Sequence, residues 1–124
     1  MIISDENEKL IGDAIDKLSE VLDSDAYMDM VNNLDTPPEK RKTLNQCWSQ
    51  RNRLMRILLK IYAKDIEEKN DDFKKLISQM KGVRQEAEEA ADGLKKIADR
   101  IESAVKMAKA VDAAIKIAAA LAAA

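Results

Sequence analysis

Histidine is absent from the 124 residues, cysteine occurs once, glycine three times and proline twice, and there is one phenylalanine and one tryptophan. Each shortage excludes something. Without histidine there is no imidazole base beside Cys47, and no Glu-x-x-His pair of the kind that builds a di-iron bundle. A single cysteine rules out an internal disulfide and a Cys-rich zinc site. Three isolated glycines cannot form a phosphate-cradling loop. The aromatics and glycine-rich turns that mark strands are too sparse for a β protein. No run of about eighteen uncharged apolar residues occurs, as an ordinary membrane span would need. The opening segment, MIISDENEK, carries acids where a secretory leader would carry a basic region and then an apolar one, which predicts a cytoplasmic protein.

What remains is rich in Ala, Leu, Ile and Met. Hydrophobic residues make up 46% and charged residues 35%. That is enough apolar material for one self-supporting domain over residues 1–124, and it predicts an all-α fold. The formal charge of −2 hides a segregation. Residues 1–35 hold ten acids against two lysines, a net of −8, while residues 36–64 hold eight bases against Glu39, a net of +7. Such blocks can attract an outside partner or each other.

Local signals divide residues 1–69 into three helices. Ser4 is a suitable N-cap, followed by Asp5, Glu6 and Glu8 where the helix dipole favours negative charge. Leu10, Ile11, Ala14, Ile15, Leu18, Val21 and Leu22 then form one apolar stripe. Ser24 and Asp25 recap a short helix with Tyr27, Met30, Val31 and Leu34. Thr36-Pro37-Pro38-Glu39 reads as a capping box with proline at the first helical position. It starts a helix whose apolar face runs from Leu44, Cys47 and Trp48 through Leu54, Met55, Leu58, Ile61 and Tyr62 to Ile66. The polar run 67–72 interrupts this face, with Asn70 as its turn residue.

From Phe73 onward, Leu76, Met80, Val83, Ala87, Ala90, Leu94, Ile97, Ile101, Ala104, Ala108, Val111, Ile115, Ala118 and Ala122 alternate at three and four residues. A sustained 3.5-residue repeat is the signature of coiled-coil packing. It predicts a long C-terminal helix over 71–123, roughly 75 Å at ~1.5 Å per residue, with a bend at Gly82 or Gly93 as the alternative. A continuous helix would outrun its neighbours and expose its seam; a broken one would fold back into a helical bundle of three to four helices.

Candidate functional residues are few. Lys42, Arg53, Arg56 and Lys60 share a sector of about 60° opposite the apolar face. Such a stripe could follow phosphates, but a pI near 5.3 disfavours nucleic acid, and a solvated face is the simpler reading. Arg51 falls on the apolar face and is a candidate for a structural buried ion pair. Cys47 reads as core. Glu86, Glu88 and Glu89 read as a wet face.

The tail from Ala104 onward is the segment expected to bind. Ala104, Ala108, Val111, Ile115, Ala118, Leu121 and Ala122 make a small-residue stripe suited to close helix packing. The expected function is a non-catalytic interaction or scaffolding protein, with no cofactor and no metal. It would self-associate as a homo-oligomer or dock another helical protein through this tail. The alternative is a membrane-active helical protein, or its soluble accessory, in which residues 104–124 lie on a membrane surface.

Overall fold

Five helices account for nearly all of the computed structural model, which describes residues 3–64 and 66–123. They are α1 (Asp5–Leu22), α2 (Asp25–Asn32), α3 (Pro38–Tyr62), α4 (Asp71–Gly93) and α5 (Arg100–Ala123). The fold is an all-α helical bundle.

Three of the starts follow the local chemistry read from the sequence. The Ser4 side chain accepts from the Asn7 N–H at 3.2 Å, and Ser24 accepts from the Tyr27 N–H at the same distance. Asn70 is more than a turn residue: its Oδ1 accepts from the N–H groups of Asp72 and Phe73, which makes it the N-cap of α4. These contacts satisfy donors that the first turn of any helix leaves unpaired.

The start of α3 differs from expectation. Pro37, not Thr36, is the N-cap, and no side chain caps it. The cause lies in the second proline. Pro38 bars the residue before it from helical geometry, so Pro37 stays extended at ψ 135° and the helix begins one residue later. Thr36 is instead buried at the turn, its N–H donating to the Asn33 carbonyl.

The larger correction concerns the C-terminal half. Residues 71–123 form two helices, separated at 94–99, and not one rod. Gly82 lies inside an unbroken α4, while Gly93 ends it. No glycine has a positive φ, so the break does not need glycine's left-handed freedom. Gly93 serves proximity. A Cβ built there would lie 2.5 Å from Ser103 Oγ and 2.8 Å from Ser103 Cβ, which is where α5 turns back across α4. The Arg100 guanidinium donates to the Leu94 carbonyl at 2.5 Å, satisfying one of the carbonyls the broken helix would leave open. Ile97, a seam position in the heptad reading, sits in the turn and is 82% exposed.

The four long helices alternate in direction. Antiparallel α4 and α5 are joined at Gln79 Nε2 to the Ala110 carbonyl (3.4 Å). The parallel pair α1 and α4 is joined at Asp13 and Arg84 (3.9 Å). Helices α3 and α5 also run parallel, with Cys47 level with Ala108 and Ile57 level with Ala119. The α3–α4 connection crosses one end of the bundle, where the Ser4 N–H donates to the Glu68 carboxylate. Packing is extensive between α4 and α5, α3 and α5, and α1 and α4, and much thinner between α1 and α3. Short α2 plugs the opposite end. Its Tyr27 is fully buried and donates from Oη to the Leu44 carbonyl at 2.5 Å.

Candidate functional site

Folding back changes what the tail can do. Ala104, Ala108, Val111, Ile115, Ala118 and Leu121 are buried, and Ala122 is half-buried. The stripe meets Ala87, Ala90 and the other apolar residues of α4, together with α3, inside the same chain. Small side chains at this seam let helix backbones come close, so alanine performs the packing role expected of it, but within one chain. The polar edge of α5 faces outward, with Lys116 3.0 Å from Asp112.

Arg51 lies at the mouth of the α1–α3 seam. Its side chain is 25% exposed; one guanidinium nitrogen donates to Ser19 Oγ at 2.9 Å and stands 3.9 Å from Asp23. The side chain leaves the apolar face at the bundle's edge, so its charge keeps water on one side.

Cys47 is buried beside Tyr27, and burial pushes its thiol up to about 11. Burial likewise drives the Tyr27 phenol well above its ordinary range. A thiol held protonated is a poor nucleophile. Both groups stay neutral in the folded chain, whereas the unfolded chain releases these protons nearer their ordinary values. The Cys47 contribution to stability is therefore full below pH 9 and lost as pH rises toward 11, while that of Tyr27 begins to fall only above pH 10. Urea melts at pH 8 and pH 11 should differ by about 2 kcal/mol from Cys47 alone, and Cys47→Ala should remove that part of the slope. A pH-independent midpoint would contradict the burial of this pair.

The acidic groups are dispersed. Among the described residues no cluster of three or more His, Cys, Asp or Glu is placed to hold a metal ion. Glu88 accepts from Arg84 and Glu89 from Gln85, one turn away along α4. No described helix is long and apolar enough to cross a membrane.

An apolar hollow of the described surface lies in the α1–α3 seam, which the sequence reading does not single out. There the two helices diverge into an apolar groove of about 280 Å³, floored by Ile11, Ile15 and Leu58. Gly12 opens it on the α1 side, since a Cβ built there would meet nothing within 4 Å. Along the α3 lip Met55 is 42% and Leu59 64% exposed. Trp48 continues this strip, its indole N–H donating to the Leu22 carbonyl at 3.1 Å. The α3 wheel could have flagged the lip, because Met55 and Leu59 sit at the margin of its apolar face. The α1 margin carries Glu8 and Asp16. Beyond the α3 lip, Arg53, Arg56 and Lys60 border a shelf of about 460 Å³ over Ala119 and Ala122. None of these three cations lies within ion-pair distance of a carboxylate among the described residues.

No family model, curated protein or solved structure matches this chain.

Proposed function

We propose that this chain is a non-catalytic helical interaction protein that docks a helical partner across the α1–α3 groove. One observation carries the reading: among the described residues the α1–α3 seam is the most thinly packed of the long-helix seams, and it opens onto exposed Met55 and Leu59. An apolar helix lip beside a groove is the usual seat for an amphipathic helix, whose apolar positions anchor along the channel. The docking face thereby moves from the alanine-rich tail to the opposite side of α3. The membrane-active alternative requires the apolar face of α5 outside the bundle, and in this packing that face points inward.

Photocrosslinking in cells tests the proposal. A benzophenone side chain at position 59 should give adducts that map by mass spectrometry to a single helical segment. The same group at exposed position 120 should give none. Adducts from 120 alone would return docking to the tail, and silence at both positions would remove the interaction reading.

A further inference from the structure

Opposite charges flank the apolar lip of the groove. Glu8 and Asp16 line the groove on its α1 side, and beyond the Met55–Leu59 lip Arg56 and Lys60 border the neighbouring shelf over Ala119 and Ala122. The chain spends little of this charge internally. The one ion pair that links α1 to α3 among the described residues is Arg51 with Asp23, at 3.9 Å. The blocks behind the two ridges nearly balance, at −8 for residues 1–35 and +7 for residues 36–64.

We infer that the occupant of the groove is a second copy of this chain, docked about a two-fold axis parallel to the helices. The inference rests on the docking role proposed for this face. A nucleic acid or an anionic bilayer would meet the basic ridge well and be repelled by the acidic one. A partner helix of one charge could satisfy a single ridge. A surface that is negative, apolar and positive in succession is complementary to its own two-fold image.

Helix direction selects the axis. Helices α1 and α3 are antiparallel: Trp48 meets Leu22 at one end, and Tyr62 lies beside Glu8 at the other. A two-fold along the helices lays each α1 over the partner's α3, antiparallel, twice. Acidic ridge then covers basic ridge on both sides, and the two apolar strips meet at the centre. A two-fold across the helices would instead stack α1 on α1 and α3 on α3, like charge on like. Such juxtapositions are strongly disfavoured, so the first arrangement is the one the ridges select. Asp16 of one copy then lies at the level of Arg56 of the other, and Glu8 near Lys60.

Charge-swapped full-length chains test this by sedimentation equilibrium at low and high salt. Wild type should sediment at twice 13.9 kDa at high protein concentration, and its association should weaken as salt rises. The variant Glu8→Lys/Asp16→Lys should lose self-affinity by on the order of a hundredfold, as should Arg56→Glu/Lys60→Glu. All four side chains are exposed, so circular dichroism should show both variants folded. Mixing the two should restore a dimer, because each reversed ridge then faces its reversed complement. A wild type that stays at 13.9 kDa throughout, swapped variants that still dimerise, or a mixture that does not recover would each overturn the inference. A monomeric wild type that nevertheless crosslinks from position 59 to a different protein would sink self-pairing and leave the docking reading standing.

Discussion

Gly93→Val is expected to lower the unfolding free energy by about 3 kcal/mol, near the upper end of what overpacking costs. The argument is steric. Even the first carbon of the new side chain would sit 2.8 Å from Ser103 Cβ, an atom attached directly to the α5 backbone. The Ser103 hydroxyl can rotate aside; its Cβ cannot, so α5 must shift. Gly93→Ala should cost less, because alanine recovers up to about 1 kcal/mol of helix propensity. Gly82 is the internal control. A Cβ there meets only Gln79 Nε2, at 3.8 Å, so Gly82→Ala should stabilise by up to about 1 kcal/mol. Pairing Gly93→Val with Ser103→Gly should recover about 2 kcal/mol relative to additivity in a double-mutant cycle. Equal melting temperatures for Gly93→Val and wild type would mean that α5 does not cross α4 this closely.

Tyr27→Ala is expected to cost about 4 kcal/mol, a loss comparable to other large-to-small changes at fully buried aromatics. Tyr27 is completely buried, and it fastens α2 to α3 through its bond to the Leu44 carbonyl. Without the ring, α2 keeps only Met30 as a buried anchor. Tyr27→Phe separates ring from hydroxyl. It keeps the packing and removes one hydrogen bond, for a cost of about 1 kcal/mol. The Leu44 carbonyl lies inside α3 and retains its helical partner, so no buried acceptor is orphaned. Chemical denaturation of the three proteins checks the ranking. A phenylalanine variant as weak as the alanine one would place the stabilisation in the hydroxyl and contradict the packing argument.

Particular residues mark how far the sequence could be read. Ser4 and Ser24 signal helix starts because a cap depends on side chains within three residues of it, whereas Asn70 reads only as a turn residue and its capping of α4 appears in the structure. Thr36 misled for a reason also present in the sequence: a proline after Pro37 outweighs a capping box. The heptad pattern of 73–122 reads as one rod or as two helices broken at Gly82 or Gly93, and most of its positions are indeed buried, though Ile97 is exposed and Ile101 and Ala122 are half-buried. Periodicity marks which face is buried, and it carries no information on whether the covering helix belongs to another chain or to the same one folded back. The groove was hidden for a similar reason. Each of its walls is an ordinary helix margin, and a gap exists only once two margins are set side by side.

Composition and periodicity alone therefore determined the helical class, most helix boundaries and the apolar face of each helix, since these depend on interactions within a few residues along the chain. Tertiary structure decided the break at Gly93, the burial of the alanine stripe against α3 and α4, and the opening between α1 and α3. Those features depend on which helices become neighbours, and that choice is made by the packing of the whole bundle.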